Sequence, residues 1–305
     1  MPKIPSIPRI SIVVPLGEDV QAFETTLVSV LENQPRGSEV VVAHDGQYDD
    51  PFDLSNEVRF VSSSSSSLVD LISASAASTR ASYVGVMSPG FRAIDDWTGP
   101  AMDQFDQGAA SVAPVIRDEA GQVAAAGWTE TSSRLCTPNG AGQKKIARGT
   151  SQNLVGSYLQ ASFWRRDVLR SVISAFDSSD AIESSYAFAH MAKQAGWHCA
   201  LASDSSVVTS HRFSEIDPPS LGRGRSLRAI RKAVTRKELR MPLVANVVRS
   251  IFSPSSLAET IGQATYRGSL PTIQRKLQLD QVLPCQDQAV IPMRKTSSMP
   301  IRRAA

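Results

Sequence analysis

Cysteine is scarce in this sequence, and its three copies, Cys136, Cys199 and Cys285, stand far apart. The sequence has no Cys-x-x-Cys pair and no Cys/His spacing typical of zinc ligands, which argues against a disulfide framework and a structural zinc site. We therefore expect reduced thiols, which are typical of cytoplasmic proteins.

Long apolar runs are equally absent. A membrane-spanning helix needs a stretch of about 18 apolar residues, and none occurs in the sequence. No apolar stretch of signal-peptide length precedes the first predicted strand either. The sequence therefore predicts a cytoplasmic protein, with peripheral contact at the inner membrane surface as a further option.

The motifs of several common enzyme classes are missing. The sequence has no Gly-x-Gly-x-x-Gly after a strand, no P-loop motif, no His-Glu-x-x-His and no Gly-x-Ser-x-Gly. These absences argue against a dinucleotide-binding domain, a P-loop NTPase, a zinc protease and an α/β-hydrolase. The Gly-Arg-Gly-Arg stretch at 222–225 is not a phosphate-binding loop, because no predicted strand leads into it.

Charge is present but unevenly distributed. Residues 211–305 carry 17 Lys and Arg against 6 Asp and Glu, whereas residues 1–210 carry 15 against 23. An acidic body followed by a basic C-terminal third predicts two functional zones in one chain.

Short β-rich runs alternate with helix-like segments over the first 115 residues. The pattern predicts strands at 10–16, 38–46, 58–62 and 83–88, and helices at 20–34 and 68–77. This alternation is typical of a parallel, doubly wound α/β sheet, in which ligands bind at the carboxyl ends of the strands. The loop after the fourth strand, Ser88-Pro89-Gly90, is therefore a candidate binding loop, although it carries no acid.

Three segments resemble a family 2 glycosyltransferase, a family with the GT-A fold. They are ISIVVPLGEDVQAFETTLVSVLENQ, EVVVAHDGQYDD and SYVGVMSPGFRAIDDW. A fourth, weaker match follows in the same order, WRRDVLRSVISAFDSSDAIESSYAFAHMAKQAGWHCALASDSSVVTSH. The resemblance covers about residues 8–213. It implies an α/β GT-A domain, Rossmann-like, with a mostly parallel central sheet flanked by helices.

The resemblance implies that three loops bind a nucleotide-sugar of the UDP type. Asp45, followed by Gly46, matches the carboxylate that accepts a hydrogen bond from the uracil ring. The other matched residues are Pro15, Leu16, Gly17 and Glu18, in the turn around the base and ribose, and Ser88 and Gly90, in the diphosphate loop. Asp and Gly also suit simple turns, so a structural role for Asp45 stays open.

The metal-binding position of this family is altered. The family's Asp-x-Asp motif holds a divalent cation through oxygen ligands, and Ser88-Pro89-Gly90 stands in its place. We therefore predict a divergent member that lacks this Mn²⁺ or Mg²⁺ site. Asp95 and Asp96 stand beside Trp97, where the resemblance places a helix start, and carboxylates are favourable in the first turn of a helix.

Several charged residues are candidates for phosphate binding, acceptor binding or catalysis. Arg165 and Arg166 could bind phosphate in a bidentate manner, and His211 matches a position where some family members place a metal ligand. A solvated arginine pair and a structural histidine are the alternatives. The family's acidic pair is only partly retained, because serines follow the surviving Glu183, so the usual general base is missing. Glu183 is still a candidate base if the register shifts by one residue, and Asp180 is a second candidate.

A Pro/Gly/Ser-rich stretch after residue 213 is interpreted as a domain boundary. We predict a GT-A glycosyltransferase-like domain at 1–213, a basic helical extension at 214–284 and a disordered tail at 285–305.

The basic extension is predicted to contain an amphipathic helix. Leu227, Ile230 and Val234 share one helical face, and cations occupy much of the rest. Such a segment, at 223–252, suits peripheral contact with an anionic membrane, and packing on the domain is the alternative. Nucleic-acid binding is disfavoured, because aromatic residues are not interleaved with the cations.

Two functions follow from these patterns. The first is a glycosyltransferase that moves a sugar from a nucleotide-sugar donor to an unknown acceptor, with a glycan as the candidate. The second is a non-catalytic relative that binds a nucleotide-sugar, a glycan or a partner protein. Loss of the metal site and the base favours the second, because each contributes several kcal/mol to transition-state stabilisation. The resemblance favours the first.

Overall fold

The computed structural model describes residues 7–210, apart from 49, 51–52, 132–133 and 148, together with 218–235, 254–266 and 277–285. The strands in this part of the chain are β1 (Ile10–Pro15), β2 (Ser38–His44), β3 (Arg59–Ser62), β4 (Tyr83–Met87), β5 (Phe91–Ala93), β6 (Ser111–Arg117), β7 (Val123–Ala126), β8 (Trp128–Thr129), β9 (Thr137–Pro138), β10 (Ala161–Arg165) and β11 (Cys199–Thr209). The α-helices are α1 (Val20–Glu32), α2 (Leu68–Ser78), α3 (Gly99–Asp106), α4 (Arg166–Ala175), α5 (Ala181–Gln194), α6 (Leu221–Thr235) and α7 (Pro254–Thr265).

The core of the fold is a nine-stranded mixed sheet in the order β3-β2-β1-β4-β10-β6-β11-β5, with β7 paired to β6. β1 to β4 run parallel, β10 is antiparallel to both of its neighbours, and β6 and β11 are parallel to each other. β8 and β9 form a separate two-stranded ribbon. This architecture confirms the predicted α/β class with a GT-A-like, mostly parallel sheet.

The N-terminal half folds as its apolar pattern predicts. All six residues of β1 are buried, and α1 buries Phe23, Leu27 and Val30. The Asp19 carboxylate caps α1 by accepting a hydrogen bond from Ala22 N at 3.0 Å. The serine run at 62–67 ends in a second cap, because Ser67 Oγ accepts from Asp70 N at 3.2 Å and begins α2.

The first helix of the basic extension packs on the sheet domain. The predicted face of α6, with Leu227, Ile230 and Val234, is buried, and α6 contacts both α5 and α7. Packing on the domain therefore occupies this apolar face. A Cβ on Gly224 would clash with the Glu259 carbonyl, so glycine allows α6 and α7 to approach closely.

Other parts of the C-terminal prediction lie outside the described residues. These parts are the boundary at 213, the segment 236–253 and the tail at 286–305. Among the described helices, none combines the length and apolar character that a bilayer crossing requires. None of the three cysteines is joined in a disulfide bond in the described part of the chain. Membrane contact and the domain boundary stay predictions.

Candidate functional site

Three predicted loops converge at the carboxyl ends of β1, β2 and β4. Leu16 N, just after β1, donates to the Ala43 carbonyl of β2 at 2.7 Å. On the other side, a Cβ placed on Gly17 would lie 3.2 Å from Pro89 Cγ. The turn at 15–18 thus lies between the loop after β2 and the loop after β4, as parallel pairing of the three strands requires.

The Ser88-Pro89-Gly90 loop is held from several elements. Ser88 N donates to the Gln160 carbonyl at 2.9 Å, just before β10. Gly90 N donates to Thr26 Oγ1 of α1 at 3.1 Å, and Ser210 N donates to the Gly90 carbonyl at 3.1 Å. Gly90 has φ +84°, a left-handed conformation that favours glycine. The loop is therefore a fixed part of the site.

Two buried polar atoms at this loop lack partners. Ser88 is 7% exposed and Gln160 is 9% exposed, yet Ser88 Oγ and Gln160 Oε1 have no hydrogen-bond partner among the described residues. Met87 of β4 pairs with Ala161 of the antiparallel strand β10. The next pair along these strands is Ser88 and Gln160, so these two residues stand opposite each other. Leaving a buried polar group unsatisfied costs about 1–3 kcal/mol. Such a pair indicates a place reserved for a ligand or an ordered water.

The loop after β2 is a tight turn around Asp45. The Asp45 Oδ1 atom accepts from Gln47 N at 3.2 Å, and His44 Nδ1 accepts from Gly46 N at 3.0 Å. Gly46 has φ +94°, so its place in the turn needs glycine. Asp45 therefore has the structural turn role that was left open. Its second oxygen makes no hydrogen bond to the described residues, so a ligand role is compatible with the turn.

An aromatic cluster beside this turn was not predicted. The Tyr48 ring stacks on Phe60, with centroids 5.8 Å apart, and meets the edge of Phe23 at 5.5 Å. Burial raises the pKa of the Tyr48 hydroxyl, and the carboxylates of Asp50 and Glu24 add to this. The signal in the sequence was the aromatic residue three positions after Asp45. The Tyr48 ring gives the Asp45 side of the site an apolar wall.

The predicted catalytic acids lie at the start of α5. Asp180 is the N-cap, and its Oδ1 accepts from Ile182 N at 2.9 Å and Glu183 N at 2.7 Å. Glu183 is half-buried, and its Oε2 accepts from Ser178 Oγ at 3.2 Å. Ser185 Oγ accepts from Leu159 N at 2.9 Å, which ties this end of α5 to the residues preceding β10. Asp180 therefore has a clear capping role, whereas Glu183 keeps a carboxylate oxygen for other chemistry.

The structure does not bring Arg165 and Arg166 to this site. Arg165 ends β10 and Arg166 begins α4. Because β10 is antiparallel to β4, Arg165 pairs with Tyr83, and both arginines lie at the opposite end of these strands, about 17 Å of strand from Ser88. Arg165 Nε donates to the Ala109 carbonyl at 2.7 Å, and Arg166 Nη1 donates to the Thr79 carbonyl at 3.1 Å. The direction of β10 thus gives both arginines a structural role, and we exclude them from the proposed site.

The remaining predicted charges do not form a metal centre in the described part of the chain. Asp95 and Asp96 are exposed and precede α3, which begins at Gly99 with Thr98 as its N-cap and has no acid in its first turn. The interpretation of these two carboxylates as first-turn residues of a helix is therefore wrong. No group of three or more His, Cys, Asp or Glu side chains assembles among the described residues. His211 lies outside them. At the loop itself, Ser88-Pro89-Gly90 offers one neutral hydroxyl, which does not fit the oxygen-rich shell of Mg²⁺ or Mn²⁺.

Among the comparisons with known proteins, the one with S. aureus TarS supports the fold. No family model and no curated protein matches the chain. Among solved structures it is similar to S. aureus TarS 1-349, with 12% identity, a TM-score of 0.51, and coverage of 88% of this chain and 77% of that chain. It is also similar to the mannosyltransferase PcManGT from Pyrobaculum calidifontis in complex with GDP-Man and Mn²⁺, with 15% identity, a TM-score of 0.49, and coverage of 89% and 79%. The chain has a glycosyltransferase-like fold.

Proposed function

We propose that the chain binds a nucleotide-sugar, of the UDP type, at the carboxyl edge of its sheet. The observation that carries this proposal is a pair of buried atoms, Ser88 Oγ and Gln160 Oε1, which have no partner among the described residues and lie on the β4–β10 side of the three converging loops. A folded protein tolerates such atoms where a ligand completes their hydrogen bonds. The glycosyltransferase-like fold and the resemblance of the three loops support a nucleotide-sugar as that ligand.

Each loop has a distinct task in this proposal. The free oxygen of Asp45 accepts from the uracil N–H, and the turn at 15–18 encloses the base and ribose. Tyr48 provides an apolar wall next to Asp45. Ser88 and Gln160 bind the polar middle of the ligand. Ser88 can donate or accept a hydrogen bond, whereas Gln160 Oε1 can only accept, so it selects a hydroxyl or amine of the ligand.

We propose that no metal ion held by the Ser88-Pro89-Gly90 loop takes part. A single serine hydroxyl is a poor ligand set for a hard divalent cation, which takes six or more oxygens. Hydrogen bonds from the loop therefore replace chelation in recognition of the ligand.

Glycosyl transfer from the bound donor is the second candidate function. It is favoured by Glu183, whose Oε1 atom makes no hydrogen bond to the described residues. In this reaction Glu183 takes the proton of an acceptor hydroxyl, that oxygen bonds to the anomeric carbon, and the bond to the nucleoside diphosphate breaks. A cavity of about 400 Å³ beside the loop, lined in part by Asp118, Thr209 and Ser210, has room for a glycan acceptor. Ser184, next in sequence, donates to the Ser178 carbonyl at 3.3 Å and has no base character.

Calorimetric titration with a panel of UDP- and GDP-sugars tests this proposal, in EDTA and again with Mn²⁺. We expect a UDP-sugar to bind in EDTA and Asp45→Ala to weaken binding about tenfold or more, because a charge-assisted hydrogen bond is lost. Asp103→Ala, which removes an exposed carboxylate of α3, is the matched control. Binding that requires Mn²⁺, or that is equal in both variants, would contradict the proposal.

An assay for nucleotide release separates the two candidate functions. Release that is lost in Glu183→Gln, with donor affinity unchanged, would establish transfer. Binding without release in the presence of acceptor glycans would establish the non-catalytic function.

A further inference from the structure

A second group of polar side chains, two buried and two half-buried, lies between β8, α5 and α6. We call Glu130, Tyr186, His190 and Arg231 the Glu130 cluster. Glu130 follows β8 directly, Tyr186 and His190 are one turn apart on α5, and Arg231 comes from α6. The cluster is thus a point where the basic extension is attached to the sheet domain.

Both carboxylate oxygens of Glu130 have partners from other elements. Oε1 accepts from Tyr186 Oη and lies 3.1 Å from His190 Nε2. Oε2 lies 3.0 Å from Arg231 Nη2. Arg231 therefore forms an ion pair that joins α6 to the end of β8.

The geometry requires one protonation state of His190. Arg231 Nη1 lies 3.2 Å from His190 Nδ1, and a guanidinium group can only donate hydrogen bonds. Nδ1 must then be the unprotonated acceptor, and the ring proton is on Nε2, which donates to Glu130. Both contacts are satisfied together only while the imidazole is neutral.

Burial reinforces the neutral state. His190 is 3% exposed, and the Trp128 ring lies over it at a centroid distance of 5.7 Å. Burial lowers the pKa of His190, and Arg231 and Lys193 contribute to the decrease, although Glu130 opposes it. Burial works against ionised Glu130, but His190, Tyr186 and Arg231 outweigh it and lower the pKa of that carboxyl.

The remaining neighbours do not titrate in the same range. Burial, with Glu130, raises the pKa of Tyr186 well above its ordinary value, and Cys136 contributes to this increase. His190 is therefore the group of the cluster that changes charge as the solution becomes mildly acidic.

We propose that the Glu130 cluster is a pH-sensitive latch, in which protonation of His190 weakens the attachment of α6 to the sheet domain. A proton added at Nδ1 removes the hydrogen bond from Arg231 and places two cations 3.2 Å apart. Opening the latch frees the basic helix together with its apolar residues Leu227, Ile230 and Val234.

The direction of the pH effect follows from the lowered pKa. The unfolded or detached state takes up the proton near the ordinary histidine value of about 6.5, whereas the latched state takes it up only at lower pH. The latch is therefore fully stable above about pH 6.5 and weakens as the pH falls from there towards the pKa of the latched state. Glu130 stays ionised over this range, because its own pKa is lowered.

Hydrogen exchange of the full-length protein tests the latch. The measured quantity is the protection factor of peptides within Leu221–Thr235, at about pH 7.5 and about pH 5.5. We expect protection at the lower pH to fall by up to about tenfold, because about pH 5.5 lies one unit below the ordinary histidine value. His190→Gln is expected to keep its protection at both pH values, because glutamine can accept from Arg231 and donate to Glu130 without titrating.

Two further variants keep the test decisive. His198→Gln removes an exposed histidine outside the cluster, and we expect it to behave as the wild type. Arg231→Ala is expected to lose protection of α6 at both pH values. The proposal is overturned if the wild type shows no fall, if His190→Gln shows the same fall, or if Arg231→Ala leaves α6 protected.

Discussion

The carboxyl edge and the Glu130 cluster both contain polar side chains with little exposure, and they differ in whether these side chains have hydrogen-bond partners. At the edge, Ser88 Oγ and Gln160 Oε1 have no partner among the described residues. In the cluster, both oxygens of Glu130 and both ring nitrogens of His190 have one, and Arg231 Nε is the one buried atom that lacks a partner among the described residues. Satisfied polar groups fix one arrangement of the chain, whereas unsatisfied groups cost stability until a ligand binds. The difference separates a region built for stability from a region built for recognition.

We expect the largest loss in the free energy of unfolding for Glu130→Ala. The change removes the acceptor of the Tyr186 hydroxyl and of Arg231 Nη2. Because the Glu130 and Arg231 side chains are 17% and 21% exposed, we expect a loss of about 2–3 kcal/mol, somewhat below the cost of breaking a fully buried ion pair. Urea unfolding at about pH 7.5 measures the loss. Glu57→Ala, an exposed carboxylate, is the control and should change the free energy of unfolding by less than about 0.5 kcal/mol. Equal losses in both variants would show that the Glu130 cluster does not stabilise the fold.

At the carboxyl edge we expect a smaller difference in stability, between a partnered and an unpartnered serine. Ser205 is a buried serine whose hydroxyl donates to the Trp97 carbonyl, so Ser205→Ala should lower the free energy of unfolding by about 1 kcal/mol. Ser88→Ala removes an unpartnered hydroxyl and should leave that free energy unchanged or slightly raised. Unfolding midpoints at constant slope give both values. A loss in Ser88→Ala as large as in Ser205→Ala would show that Ser88 is already satisfied.

The sequence was most informative where the structure depends on local pattern. The continuous apolar runs of β1, β2 and β4 predicted parallel strands, and their pairing brings the loops at Gly17, Asp45 and Ser88 to one edge. The structure confirms the α/β fold that these runs indicate. The binding roles of the loop residues stay predictions.

The features that were missed depend on contacts between distant parts of the chain. Gln160 stands opposite Ser88 only because β10 pairs antiparallel with β4, and the same direction takes Arg165 and Arg166 to the other edge. The Glu130 cluster joins residues 60 and 41 positions apart, and no local pattern marks such pairs. These pairings are set by tertiary packing.

A single titration shows whether Ser88 is reserved for a ligand. The UDP-sugar that binds the wild type is titrated in EDTA into the wild type, Ser88→Ala and Ser205→Ala. We expect Ser88→Ala to weaken binding about tenfold, equivalent to one lost hydrogen bond, and Ser205→Ala to bind as the wild type does. Wild-type affinity in Ser88→Ala would contradict it.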